Sequence, residues 1–159
     1  TKQINKKILF TLLLFISFVL VAAFVIEHEL GHEPCKLCLY ERIPYFLSFL
    51  LIIKILFIKK FEKITLFLLF LIFIGSTILA FYHYGIEQGF FKETLACTTE
   101  NLSEIMSKEQ ILEQLKQRSI SCKDISFTIL GLSLAAINTI FSIVLSIIFI
   151  RLFLNYGKN

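Results

Sequence analysis

Four long apolar stretches, separated by short polar segments, dominate this sequence. They cover residues 8–26, 39–58, 64–84 and 125–154. A helix needs roughly 20 mostly apolar residues to cross a hydrocarbon core of about 30 Å. Each stretch is long enough, so the pattern predicts an all-α fold, a bundle of four transmembrane helices. The spans and their loops use up the chain, which predicts one membrane domain over residues 1–159.

The composition favours the same class of protein. Hydrophobic residues make up 57% of the chain, which contains 18 Phe and only 2 Pro. A soluble domain of 159 residues with this composition would lack the polar residues needed to cover its surface. The expected surroundings are therefore a lipid bilayer, and no nucleic acid partner is expected.

The first apolar stretch begins after Lys6 and Lys7, as the apolar region of a secretory signal peptide follows basic residues. It is longer than such a region usually is, and no small-x-small cleavage site precedes Glu27. The sequence therefore predicts a retained transmembrane helix.

Basic residues indicate how the spans are oriented. They lie before the first span, between the second and third, and at the end of the fourth: Lys2, Lys6, Lys7, Lys59, Lys60, Lys63, Arg151 and Lys158. Because cytoplasmic loops are enriched in Lys and Arg, both termini and the turn at residues 59–63 are predicted to be cytoplasmic. The loops at residues 27–38 and 85–124 then face outward.

All four cysteines fall in the two outward loops. Cys35 and Cys38 lie in the first, and Cys97 and Cys122 lie in the second. Since cytosolic thiols are kept reduced, this placement predicts an oxidising compartment on the outer side. Four cysteines allow three disulfide connectivities. The short spacing favours a Cys35–Cys38 pair, which leaves Cys97 and Cys122 as the second pair.

The second outward loop also carries the pattern of an amphipathic helix. A Ser-x-x-Gln capping box occurs at Ser107 and Gln110. Five apolar residues fall close to one helical face: Leu102, Ile105, Met106, Leu112 and Leu115. The prediction is a short helix lying in the membrane interface, with packing over the mouth of the bundle as the alternative. Either position would hold Cys97 and Cys122 close to the membrane.

The first pair of cysteines stands where a helix begins, which favours redox chemistry. Free backbone N–H groups and the helix dipole stabilise an anion there, and a lowered pKa makes a thiol both a nucleophile and a leaving group. Arg42 follows Cys38 by about one turn. It can stabilise a thiolate or the charge on a carbonyl compound such as a quinone, or anchor the helix to phosphate headgroups. Glu41 is expected only to pair with Arg42 or Lys36.

Three segments resemble the DsbB family, disulfide bond formation protein B. The first is Pro34-Cys35-x-x-Cys38-x-Tyr40-Glu41-Arg42, which is similar to the family signature. The second is Tyr82-His83-Tyr84-Gly85-Ile86-Glu87, similar to a His-x-Gly-x-Glu stretch. The third runs from Cys122-Lys123-Asp124 to Asn138, similar to the entry into the last helix. The resemblance extends from the first span to the fourth.

This resemblance implies a quinone-dependent thiol oxidase of the bacterial inner membrane, with its cysteine loops in the periplasm. Cys97 would form a mixed disulfide with a DsbA-like periplasmic thioredoxin-fold protein, and Cys122 would be the mate of Cys97. Cys35 and Cys38 would pass the electrons to a membrane quinone, ubiquinone or menaquinone, beside Arg42. The residues do not distinguish the two quinones.

The resemblance also assigns individual roles near the quinone. Cys38 matches the cysteine that forms the adduct with quinone, and His83 matches a position near the quinone ring. His83 at a helix end is equally typical of an interfacial hydrogen-bonding residue. Two departures from the family pattern are Lys36, where a small or apolar residue is usual, and Phe127, where Trp is common.

Other functions compete with this interpretation. His28-Glu29-x-x-His32 has the form of a zinc metalloprotease motif, but Gly31 and Pro34 weaken the helix that the motif requires. A structural metal site of His28, His32, Cys35 and Cys38 has suitable ligand atoms but leaves Cys97, Cys122 and Arg42 without a role. A non-catalytic protein stapled by two disulfides explains Cys35 and Cys38 poorly, because so short a loop constrains little of the chain. The sequence thus predicts an oxidoreductase without a resident metal.

Overall fold

A computed structural model describes residues 6–29, 31, 34–58, 60–92, 122, 128–129 and 131–156. In this part of the chain the elements are, in order, α1 (Lys6–His28), α2 (Lys36–Phe57), α3 (Glu62–Glu87), β1 (Thr128–Ile129), β2 (Leu132–Ser133) and α4 (Leu134–Leu154). Cys97 and the helix predicted in the second outward loop lie outside the described residues.

Three of these helices are long and apolar enough to cross a membrane: α1, α3 and α4. Helix α2 is less apolar because it contains Glu41, Arg42 and Lys54. The arrangement is helical, as predicted. The fourth span of the predicted bundle, at α2, stays a prediction.

Packing between the helices is strongest for α3 against α4, while α2 contacts both α1 and α3. Phe73 lies at the centre of the core, stacked on Phe149 and edge-on to Tyr45, with ring centroids 5.5 and 5.6 Å apart. Large apolar side chains such as Phe10 and Leu14 are exposed instead on the outer face of α1. Such a surface fits a lipid environment, where packing and interhelical hydrogen bonds rather than burial from water hold helices together.

Interhelical hydrogen bonds occur along the length of the bundle. Ser76 on α3 and Ser142 on α4 are both buried, and their hydroxyl oxygens are 2.9 Å apart. Nearer the turn between α2 and α3, the Lys54 ammonium donates to the Thr65 hydroxyl at 2.9 Å. These contacts satisfy polar groups that a bilayer would leave without partners.

The predicted span at residues 125–154 is wrong at its start. The described residues there form the β1–β2 hairpin, in which Thr128 pairs with Ser133, and the helix begins only at Leu134. Gly131 has φ +82, a left-handed conformation that suits glycine in a tight turn. Ser133 then caps α4 by accepting a hydrogen bond from the Ala136 N–H at 3.2 Å. Hydropathy alone does not reveal the turn at Gly131 or the cap at Ser133, because both residues lie within a mostly apolar stretch.

Candidate redox site

Cys35 and Cys38 lie side by side because of how α2 begins. Cys35 is the N-cap of the helix, in extended conformation, and its sulfur accepts a hydrogen bond from the Cys38 N–H at 3.3 Å. The two sulfurs are 2.7 Å apart, and both cysteines are free thiols. A small movement would bring the sulfurs to the roughly 2.05 Å of a disulfide bond. The pair can therefore alternate between two thiols and a disulfide with little movement of the backbone.

Cys35 contacts a buried histidine, which in turn contacts a buried carboxylate. The Nε2 atom of His83, on α3, is 3.5 Å from the Cys35 sulfur, and its Nδ1 atom is 2.7 Å from Oε1 of Glu41, on α2. All three residues are buried. Because the carboxylate can only accept, Nδ1 carries a proton, and Nε2 is the atom that faces the sulfur. The arrangement can exchange a proton with Cys35 or stabilise its thiolate.

The surroundings of Cys35 favour its ionised form. The pKa of Cys35 is lowered from 9.0 to about 4, and the hydrogen bond from the Cys38 thiol is the largest influence on it. Burial acts in the opposite direction, and His83 lowers the pKa further. Since the thiolate is the reactive form of cysteine, the reduced pair holds a nucleophile at neutral pH.

We therefore expect a pH-dependent thiolate signal from the reduced pair. In a chain with Cys97→Ser and Cys122→Ser, ultraviolet thiolate absorbance should persist at neutral pH and disappear as the pH falls through about 4. Cys38→Ala removes the main stabilising hydrogen bond, so the absorbance should disappear at a higher pH. Cys35→Ala is the matched control and should show no thiolate at neutral pH. An ordinary titration near 9 in the chain that keeps both cysteines would contradict this account.

Glu41 is held in place from a second side. Its Oε2 atom accepts a hydrogen bond from Nδ2 of the Asn138 side chain at 2.6 Å, and Oδ1 of the same side chain accepts one from the Tyr45 hydroxyl at 2.6 Å. A buried carboxylate is costly unless it is hydrogen-bonded. Here both oxygens have partners on other helices, so Glu41 fixes the position of His83.

Sequence reasoning expected Glu41 only to pair with Arg42 or Lys36 and missed this contact. One feature of the sequence does place Glu41 near the redox pair. Glu41 follows Cys38 by three residues, which places both on the same face of α2.

Arg42 forms an ion pair with α1. Its guanidinium donates to Oε2 of Glu27 at 2.5 Å and lies over the Phe24 ring, 5.3 Å from the centroid. It therefore connects α2 to α1, and it also borders the cavity that contains both cysteines of the first pair.

This cavity has a volume of about 480 Å³. That is within the range of about 300–1,000 Å³ typical of small-molecule sites. Its polar lining comes from Cys35, Cys38, His83 and Arg42, together with Glu27, Glu41, Glu87 and Asn138. The remaining wall is mostly apolar and comes from α1 and α4, including Phe18, Val19, Ala22, Ile137 and Phe141. The cavity suits a flat ligand with polar edges and an apolar remainder.

Cys122 belongs to the same buried cluster as Cys35 of the first pair. It is buried and packs in one apolar cluster with Cys35, Leu37 and Ile86, with Cys38 at the edge of that cluster. Cys122 is disulfide-bonded, and its bonding partner lies outside the described residues. The structure thus places five of the six predicted site residues at the cavity or in the adjoining cluster, Cys35, Cys38, Cys122, His83 and Arg42, and does not describe the sixth, Cys97.

The described part of the metalloprotease motif leaves the helix at His28. Helix α1 ends at His28, and Glu29 is in a turn. The His28 Nδ1 atom is 3.1 Å from the Phe24 carbonyl oxygen, and His32 lies outside the described residues. Among the described residues that follow His28, Glu29 lies in a turn and Gly31 has φ +67, so neither continues α1, whereas the motif needs two ligands one helical turn apart.

Comparison with known proteins gives two matches. The model of a family described as "Disulfide bond formation protein DsbB" matches residues 5–152. A protein of Rickettsia prowazekii (strain Madrid E), called "Uncharacterized protein RP370", is 31% identical over 161 residues. The alignment covers 99% of this chain and 93% of that protein. No solved structure matches the chain.

Proposed function

Because this chain belongs to the DsbB family, we propose that it oxidises a DsbA-like periplasmic protein and passes the electrons to a membrane quinone. Membership confirms the resemblance found in the sequence. It makes the chain a membrane protein of disulfide bond formation with disulfide oxidoreductase activity. The quinone, the soluble partner and the inner-membrane topology with cysteine loops outside belong to the proposal.

One observation carries the proposal. The free thiols of Cys35 and Cys38, with sulfurs 2.7 Å apart, border a cavity of about 480 Å³ between the helices. A structural disulfide needs no such cavity. A redox pair that reacts with a lipid-soluble acceptor does need one, because the acceptor must reach the sulfurs.

The residues around the cavity fit a quinone. Such a ring has carbonyl oxygens that hydrogen-bond donors can hold, and Arg42 is a permanent donor in the polar lining. The apolar wall from α1 and α4 suits the ring faces and the tail. When bound, a quinone supplies an acceptor for two electrons. The role of the chain is to orient the ring, keep a thiolate next to it and hold a proton on His83.

Electrons must pass between the two cysteine pairs, and the packing favours Cys122 for this step. Cys122 shares its cluster with Cys35. Once its own disulfide has been opened by the partner, a Cys122 thiolate can attack the Cys35 sulfur. The Cys35–Cys38 bond then breaks, a Cys35–Cys122 bond forms, and Cys38 leaves as a thiolate beside the cavity. This sequence leaves Cys97 to meet the partner.

The order of transfer can explain why two different cysteines carry charge. The reduced pair holds its thiolate on Cys35, whose pKa is lowered. After exchange with Cys122, however, Cys35 is bonded and Cys38 carries the charge. Cys38 is then the reactive sulfur toward the quinone, as the family resemblance implies.

A trapping experiment tests this relay. With Cys38→Ser and Cys97→Ser combined, the remaining Cys35 and Cys122 should form a disulfide on mild oxidation, because they pack together. The matched control combines Cys35→Ser with Cys97→Ser, leaving Cys38 and Cys122. It should form the bond more slowly, because Cys38 lies at the edge of the cluster. The rate of disulfide formation in each variant is measured by mass analysis of unreduced peptides. Faster disulfide formation in the control would contradict the path through Cys35.

A further inference from the structure

Three donor atoms of the redox site form a cluster with the spacing of metal ligands. The sulfurs of Cys35 and Cys38 and the Nε2 atom of His83 all lie within 4.8 Å of one another. Zinc is bound tetrahedrally with Zn–S near 2.3 Å and Zn–N near 2.0–2.1 Å, which puts ligand atoms about 3.5 Å apart. The distance from His83 to the Cys35 sulfur, 3.5 Å, already matches. Two zinc-bound sulfurs lie about 3.8 Å apart in this geometry, so the cysteine sulfurs, now 2.7 Å apart, would have to separate by about 1 Å.

The orientation of His83 is that of a zinc ligand. Histidines that bind metals almost always donate their other ring N–H to a carboxylate or a carbonyl. Here Nδ1 is 2.7 Å from Glu41 Oε1, which leaves Nε2 toward the two sulfurs. The second shell that a metal site requires is therefore present, and Asn138 in turn holds Glu41.

The charges around the cluster favour a cation. Glu41 and Glu87 are both within contact distance of His83, and the nearby Arg42 is already paired with Glu27. Among the described residues, the Oε2 atom of Glu87 has no hydrogen-bond partner, and the side chain is only 7% exposed. A buried oxygen without a partner is unfavourable, and a bound cation nearby would compensate for it.

We propose that the reduced redox pair binds a thiophilic divalent cation, with Zn²⁺ as the probe, through Cys35, Cys38 and His83. Binding displaces protons from the ligands and transfers no electrons. The oxidised pair cannot bind, because its sulfurs are joined to each other. Bound metal also blocks reoxidation, since both sulfurs are occupied. This last consequence rests on the proposed function, whereas binding itself does not.

The test uses the full-length chain with Cys97→Ser and Cys122→Ser, so that its only thiols are Cys35 and Cys38. Zinc is titrated against a chromogenic chelator under anaerobic conditions. The reduced chain should bind one zinc ion, and the oxidised chain none. X-ray absorption of the zinc-loaded chain should find two sulfur neighbours and a histidine nitrogen. This measurement needs no change at His83 and so does not depend on how a His83 variant folds.

Two variants in the same background identify the ligand set. Glu41→Gln weakens the partner of His83 and should reduce zinc affinity roughly 10- to 100-fold, as expected for a second-shell residue. His28→Ala is the matched control, since His28 lies at the end of α1 outside the cluster, and should leave the affinity unchanged. Zinc bound by the oxidised chain, a site without nitrogen neighbours, or an affinity loss on His28→Ala would each overturn the proposal.

Quinone reduction is measured separately, without added metal and with all four cysteines present. Its absence would overturn the proposed function and leave the metal site standing. If quinone is reduced, zinc bound to the reduced chain should slow reoxidation by quinone until a chelator removes the metal. Reoxidation at an unchanged rate in the presence of bound zinc would overturn the predicted block.

Discussion

The Cys38→Ser variant is expected to lose quinone reduction completely, and Cys35→Ser is expected to do the same. A serine hydroxyl cannot form a disulfide, so neither variant can regenerate the oxidised first pair. Among the described residues, these two thiols are the ones that border the cavity. In either variant, the rate of quinol formation after addition of a reduced thioredoxin-fold partner should fall to the rate measured without protein.

A variant in the second loop separates the two halves of the relay. Cys97→Ser should not oxidise the partner. Its first pair, when reduced chemically, should still pass electrons to quinone. The Cys38→Ser chain should behave in the opposite way and still form a mixed disulfide with the partner. Rapid quinone reduction by the Cys38→Ser chain would contradict the assignment of the first pair to the quinone.

The Arg42→Ala variant is expected to raise the apparent KM for quinone with less change in kcat. A hydrogen bond from a charged group contributes about 1.5–3 kcal/mol, and about 1.4 kcal/mol corresponds to tenfold. The expected increase in KM is thus roughly 10- to 100-fold. Steady-state kinetics at several quinone concentrations, with partner in excess, would measure it.

The ion pair between Arg42 and Glu27 provides the control for this prediction. Glu27→Gln removes the charge that holds the guanidinium to α1 but keeps the guanidinium at the cavity. We expect it to change the KM for quinone much less than Arg42→Ala does. Equal effects would mean that Arg42 acts by holding α1 against α2. Unchanged kinetics in Arg42→Ala would contradict a role in quinone binding and favour the alternative, in which Arg42 anchors the helix to phosphate headgroups.

Local sequence patterns were sufficient to predict the helices and the first cysteine pair. Helices α1, α2 and α3 begin and end close to the predicted spans, because long apolar runs bounded by basic or polar residues have few other solutions in a membrane. The position of Cys35 at the start of α2 was also readable, since Cys35 and Cys38 end the outward loop directly before the second apolar stretch. These features depend on neighbours along the chain.

Contacts between helices were not predictable in the same way. The Glu41–His83 contact joins residues 42 positions apart, and it depends on how α2 packs against α3. Arg42 was expected beside the thiols, but its partner Glu27 had been placed in a loop because the apolar run ends before it. The β1–β2 hairpin was missed because its Ile and Leu residues continue into the apolar run of the helix that follows. Hydrophobicity alone does not distinguish short strands from helix in such a run.

The most direct test measures how much quinol is formed for each disulfide formed in the partner. The full-length chain is reconstituted with quinone in lipid, kept anaerobic, and mixed with a reduced thioredoxin-fold partner. Forming one disulfide releases two electrons and two protons, and reducing one quinone to quinol consumes both. The account predicts equal amounts of partner disulfide and quinol, with neither formed when Cys38→Ser replaces the unaltered chain. Oxidation of the partner without matching quinol would contradict it.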